Sequence, residues 1–309
     1  MTNITSHRPN ETLWVNMKRH PMLYLMVLPG LAYFLLFKYI PLLGSVIAFQ
    51  NYQIFKGLFK SPWIGFANFQ YIFKYQDFYR ILGNTVKIGG LQILFGFPAP
   101  IILALMLNQV TRSITKRSLQ TVLYLPHFLS WAIIGSIIFD IFSISGIVNV
   151  FRSLLNLPPV LYMQQSGAFI PIVTVSFVWK EIGWSAIVYL AAISGINPQL
   201  YEAAVIEGAS SWKQTFYITL PMLMPTIIVM FLLRIGNFLN LGFEQIFVLL
   251  TPTTQRIGDI LDTWVFQNGV LEGKYSLTTT VGLFKSVFGL VLMVACNWLS
   301  KRTTGRGVY

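Results

Sequence analysis

Charge is what this sequence has least of. Only 10% of its 309 residues are Asp, Glu, Lys or Arg, while 55% are hydrophobic. A soluble domain carries about 25% charged residues, so the composition excludes an ordinary water-soluble fold. Acids are scarcer than bases, 10 against 22, for a net charge of +12. Nucleic-acid binding would need those bases clustered or set in a reader motif, and they are neither. Retention of Lys and Arg on the cytosolic side of a bilayer accounts for the surplus instead.

The reactive residues are equally sparse. The single cysteine, Cys296, excludes an internal disulfide and sits in an apolar run as a small hydrophobe. His7, His20 and His127 are scattered, with no metal-ligand spacing to Cys or carboxylates. No serine stands in G-x-S-x-G. A phosphate loop, G-x-x-x-x-G-K-[ST], is missing too. Its nearest approach, "EGKYS", contains Gly273 and Lys274 but neither the upstream glycine nor the following Ser or Thr. The expectation is a chain with no catalytic set, no metal, no bound cofactor and no ATP site of its own.

What the sequence does have is apolar length. A spanning helix needs about 20 mostly apolar residues. Six stretches qualify: 22–48, 84–107, 120–142, 169–194, 221–241 and 277–299. This predicts an all-α polytopic membrane protein with six transmembrane helices. The first stretch follows Lys18 and Arg19, yet it is too long for a signal-peptide core and lacks a small-residue cleavage site. It reads as an uncleaved span. The organisation expected is a short cytosolic segment at 1–20, a transmembrane domain at 21–305 and a tail at 306–309.

An even number of spans puts both termini on one side. The terminal side, with the loops after spans two and four, holds ten Lys and Arg; the opposite side holds seven. The bias places both termini in the cytosol. It places the interval after span four there as well. The outer loop at 49–80 contains "SPWIGFANF", whose aromatics suit a membrane–water boundary.

That fourth interval is "YEAAVIEGASSWKQTFYITLPMLMP", residues 201–225. Asn197 is an N-cap candidate with Pro198 at the first helical position. Gly208 can end the helix. Ser210 caps a second short helix running to about Tyr217, and Pro221 opens the next span. The pattern is a bent, two-part helical elbow at 197–220. A lipid-surface anchor would carry Lys and Arg on its polar face. The first helix of this elbow carries only acids, Glu202 and Glu207, which suits docking into a protein groove.

The elbow resembles the EAA motif of binding-protein-dependent ABC importer permeases. The matching residues are Glu202, Ala203, Ala204, Glu207, Gly208 and Ala209, then Leu220 and Pro221. The family usually has Asp where this chain has Glu207, so charge is kept. Residues 27–52, "VWKEIGWSAIVYLAAISGINPQLYEAA" and "FEQIFVLLTP" are similar to LplB-type permeases for complex sugars. The resemblance covers about residues 20–305.

It implies a type I ABC importer transmembrane domain in a bacterial cytoplasmic membrane. The partners implied are a second homologous permease, two cytosolic ABC ATPases carrying ATP and Mg, an external solute-binding protein, an oligosaccharide and lipid, with no nucleic acid. The elbow would be the coupling helix. A secondary sugar transporter working without an ATPase is the alternative; it should show inverted repeats, and no clear repeat is present.

Ionisable residues inside spans are costly and mark pathways. Lys38 and Lys87 lie near span ends and can snorkel. Lys180, Arg234 and Lys285 lie deeper. Lys180 and Trp184 share a helical face, as do Arg234, Asn237 and Asn240. These six residues are the candidate substrate pathway, aromatic faces meeting sugar rings and polar groups meeting hydroxyls or carboxylates. Basic residues at mid-depth favour an acidic, uronate-type oligosaccharide. A structural alternative has Lys180 or Arg234 bonded to Glu181 or Asp140.

Overall fold

The computed structural model describes residues 19–304. The N-terminal segment to Lys18 and the tail from Gly305, with His7, Lys18 and Arg306, lie outside the described residues. Among those described there is no β-strand, only an isolated antiparallel bridge between Gln50 and Trp63.

Apolar length becomes helix wherever no breaker intervenes, because a helix satisfies its own backbone hydrogen bonds away from water. The helices used below are α1 (Pro21–Phe49), α2 (Ala67–Lys74), α3 (Gln76–Asn108), α4 (Ser113–Phe128) and α5 (Trp131–Ile141). They continue with α6 (Ile147–Leu154), α7 (Ser166–Ser194), α8 (Pro198–Ile206) and α9 (Ser211–Gly236). The last are α10 (Phe243–Leu249), α11 (Leu261–Val265), which runs on as a wider turn over Phe266–Leu271, and α12 (Tyr275–Arg302).

Five of these, α1, α3, α7, α9 and α12, are long and apolar enough to cross a bilayer singly. The expected third span is different. Residues 120–142 are divided between α4 and α5, which meet at a 99° bend, so six crossings are reached only if this pair counts as one. Leu129 and Ser130 are extended, and the Ser130 hydroxyl accepts from the Ile133 N–H to start α5 afresh. Pro126, just upstream, offers no N–H to the helix it sits in. The fifth span is also shifted. It ends at Gly236 rather than 241, and it begins at Ser211, so the elbow's second limb is the base of α9 and not a separate helix.

The core sits in three buried clusters. Ile88, Ile134, Phe169, Val173, Ile246 and Leu249 join α3, α5, α7 and α10. Ile72, Phe78, Ile81, Leu261 and Val281 join α2, α3, α11 and α12. Ala104, Ala186, Tyr189, Ile193 and Leu223 join α3, α7 and α9. Helix α7 is thus the central element, and it is the most buried of the five spans. Helix α1 is the least.

Candidate functional site

Polar chemistry gathers at the elbow, at a small open pocket between α3, α7 and α9, and at a pocket of about 480 Å³ where Tyr52, Asn68 and Tyr71 meet Lys274 and Tyr275. At the elbow, the Asn197 side chain accepts from the Gln199 N–H at 3.0 Å, and Pro198 opens α8. The helix closes on Gly208, whose φ is +75°. The Ala209 N–H donates to the Ala204 carbonyl at 2.8 Å and the Gly208 N–H to Val205 at 3.0 Å. This is a Schellman-type end, which needs a left-handed residue where glycine sits. The Ser210 hydroxyl then caps α9, accepting from Lys213 N–H.

The elbow is braced from below. Tyr201 shares a hydrogen bond with the Thr219 hydroxyl at 2.9 Å, and Gln109 at the end of α3 donates to Thr215 at 2.8 Å. Above that brace α8 buries none of its residues. Ile206 is 87% exposed, Trp212 and Tyr217 nearly as much, and Glu202 and Glu207 are exposed. Neither glutamate forms an ion pair with another described residue. The elbow presents acids and apolar groups together on a rigid mount.

Beside it lies a groove of about 650 Å³ between the end of α3 and the base of α9, walled by Ile101, Ile102, Met106, Trp212 and Phe216. Its lining is apolar and offers a sugar almost nothing to bond. The open cavity between α3, α7 and α9, about 220 Å³, is smaller but chemically suited. Arg234 of α9, Glu181, Ser185 and Tyr189 of α7, and the rings of Phe97 and Phe177 line it. The Arg234 guanidinium lies 5.0 Å from the centre of the Phe177 ring and donates to Gln92 at 3.3 Å.

The six pathway candidates do not converge. Arg234 faces the cavity. Lys180 does not: it is 6% exposed, and its ammonium donates to the carbonyls of His127 at 2.7 Å, Leu129 at 2.6 Å and Pro126 at 3.3 Å. It clasps the carbonyls freed where α4 breaks, with the Trp131 ring 5.5 Å away. The suggested pairing of Lys180 with Glu181 or Asp140 is therefore replaced by carbonyl partners. Trp184 stacks flat on His127, centroids 4.5 Å apart, and His127 Nδ1 lies 3.1 Å from the Glu181 carboxylate. Lys285 is engaged by Asp262 of α11. Asn237 caps the end of α9, and Asn240 lies in the turn beyond, bonded to Asn237 at 3.5 Å. Because the helix stops at Gly236, these two asparagines do not continue the face of Arg234.

Sequence reasoning missed Gln92, Phe177 and Gln245. A glutamine inside "GLQILFGF" was the available signal, an uncharged polar group in an apolar run. Charge drew attention to its neighbours instead.

A long-helix bundle with a braced external elbow and hydrogen-bonded polar groups buried between its apolar helices defines the class, a multi-pass membrane transport subunit. The chain belongs to the family of binding-protein-dependent transport system inner membrane components, which matches residues 96–305. It is 42% identical to protein LplB of Bacillus subtilis (strain 168) over 294 residues, covering 95% of this chain and 92% of that one. It is 40% identical over 300 residues to the polygalacturonan/rhamnogalacturonan transport system permease protein YteP of the same strain, covering 97% and 94%. A crystal structure of a bacterial ABC transporter that imports the acidic polysaccharide alginate contains a chain of the same fold. Its TM-score is 0.87 at 41% identity, covering 95% of this chain and all of that one. A second structure of a bacterial alginate transporter, with an alginate pentasaccharide-bound periplasmic protein, gives a TM-score of 0.87 at 40% identity over 96% of this chain.

Proposed function

We propose that this chain is the permease subunit of an ATP-driven importer for acidic oligosaccharides. The observation that carries the proposal is Arg234, a guanidinium held at a cavity among spanning helices, in a chain over 40% identical to part of an alginate importer. A guanidinium stays charged at any physiological pH and matches a carboxylate fork to fork. The Phe97 and Phe177 rings supply flat apolar faces for a sugar ring. Trp184 stands outside this lining, stacked on His127. Lys180, Lys285, Asn237 and Asn240 act as structural groups in this reading.

Energy comes from elsewhere. Two cytosolic ATPase subunits hold ATP and Mg, and this chain holds neither. Glu202, Ala203, Ala204, Glu207, Gly208 and Ala209 dock in an ATPase cleft. Since α9 continues unbroken from the elbow, motion of the docked limb is carried to Arg234 as a rigid body. A second, homologous permease completes the path, and an external binding protein delivers substrate. Both termini face the cytosol.

The test is ATPase stimulation in the reconstituted importer by binding protein loaded with uronate or neutral saccharides. Stimulation by uronate-loaded protein is expected. With Arg234→Ala, import of the uronate should fall at least tenfold more than import of any neutral saccharide. Equal loss for both would remove the charge argument while leaving the permease assignment intact. A functional importer purified without any ATPase would remove the coupling assignment.

A further inference from the structure

Arg234 stands at one end of a buried chain of amides. Its guanidinium donates to Gln92 Oε1. Gln92 Nε2 donates to Gln245 Oε1 at 3.1 Å. Gln245 Nε2 donates to the Val173 carbonyl at 2.7 Å and reaches the Ser176 hydroxyl at 3.1 Å. The chain joins α9, α3, α10 and α7. Gln92 is 0% and Gln245 1% exposed. Burying two primary amides in an apolar bundle is costly unless every polar atom is paired, and here each is.

Its direction is forced from both ends. A main-chain carbonyl can only accept, so Gln245 must turn its NH₂ toward Val173 and its oxygen toward Gln92. A guanidinium can only donate, so Gln92 must turn its oxygen toward Arg234. Each amide has one orientation that satisfies both neighbours. The relay holds one edge of the guanidinium against α3, with the Phe177 ring 5.0 Å from its carbon. The remaining N–H groups are left for the cavity.

We propose that Gln92 and Gln245 are positioning residues that aim Arg234 into the cavity, so that preference for carboxylated over neutral saccharides depends on an amide relay anchored at the Val173 carbonyl. Gln245 touches no substrate and acts two bonds removed, through Gln92. This rests on the reading of Arg234 as the contact for an acidic sugar.

The experiment uses the whole importer in proteoliposomes, with its ATPase, second permease and binding protein. The probes are trigalacturonate and trimannuronate, each also as its methyl ester, and variants are compared with the natural protein on each probe. Arg234→Ala should raise KM for a free acid about tenfold and for its ester less than twofold. Gln245→Leu should reproduce that selective rise, as should Gln245→Glu, whose equal-sized carboxylate cannot donate to Val173. Gln92→Glu adds to Glu181 of the same cavity a second carboxylate, one bonded directly to Arg234, and should abolish the preference as well. The pair Gln245→Leu with Arg234→Ala should be no worse than Arg234→Ala alone.

The proposal is overturned if Gln245→Leu or Gln92→Glu keeps the natural preference, if acid and ester fall together, or if the double variant is worse by the product of the two effects. A natural importer that takes up neither acid, or an Arg234→Ala variant whose KM changes equally for acid and ester, sinks the acidic-sugar reading and the relay with it. A selective rise in KM for the acid in Arg234→Ala, with none in Gln245→Leu, sinks the relay alone.

Discussion

Lys180 shows how a single residue can be found by sequence and misjudged by it. A lysine near the middle of an apolar run was visible as unusual, because a charge at membrane depth must have a reason. The reason is three carbonyls of a broken helix. A carbonyl freed by a bend carries no mark in the sequence, whereas a carboxylate does, which is why Glu181 and Asp140 were the partners weighed. Lys180→Met should lower stability by about 3 kcal/mol, since the His127 and Leu129 carbonyls lose a charged donor while the Pro126 carbonyl keeps only the Leu129 N–H. The midpoint for thermal loss of the monodisperse complex in detergent should drop by several degrees. Gly183, one turn further along α7, is constrained in a different way. A Cβ there would lie 2.0 Å from the Leu123 carbonyl oxygen, and backbone cannot yield as a side-chain tip does. Gly183→Ala should force α4 away from α7 and cost about 1–3 kcal/mol, read in the same thermal assay.

Among the elements, the elbow was the most legible and the third span the least. Asn197, Pro198, Gly208 and Ser210 act locally, each through its own backbone, so their roles could be assigned from neighbours in the chain. Gly208→Val puts a β-branched residue at φ +75°, where left-handed geometry costs about 1–2 kcal/mol. It should fray the end of α8, seen as faster amide hydrogen exchange at residues 204–209. If the elbow couples the subunits, ATP hydrolysis should continue while uptake falls. The break at Leu129 and Ser130 escaped notice because a hydropathy window sums composition and is blind to direction. Its local signs, Pro126 and the Ser130 cap, lay within an apolar run that outweighed them. The boundary of α9 was lost for the opposite reason. Pro221 is tolerated inside a helix that begins ten residues earlier, because a wider turn at Thr215–Thr219 absorbs the missing donor.

For the whole molecule, orientation is the property with the simplest test. With Cys296→Ser to remove the only thiol, Glu202→Cys should react with an impermeant maleimide in inverted vesicles and not in intact cells. Lys274→Cys, just before α12, should show the reverse pattern. Labelling of Glu202→Cys from outside would contradict a cytosolic elbow. The low burial of α1 and the exposed apolar sides of α9 and α12 give the bundle a large lipid- or protein-facing surface, as a subunit embedded in a membrane requires.

Sequence by itself determined that this is a helical membrane protein, where most of its spans run, and how the elbow is capped. Those features depend on apolar length and on interactions within a few residues, and both are written in order along the chain. It also determined the family, through a motif whose residues are contiguous. Only the tertiary structure decided which polar groups serve the cavity and which serve the scaffold. Lys180, Lys285 and Arg234 look alike in sequence, three bases in apolar runs. Their partners lie 51, 23 and 142 positions away, and only the packing of helices brings such distant groups to hydrogen-bonding distance.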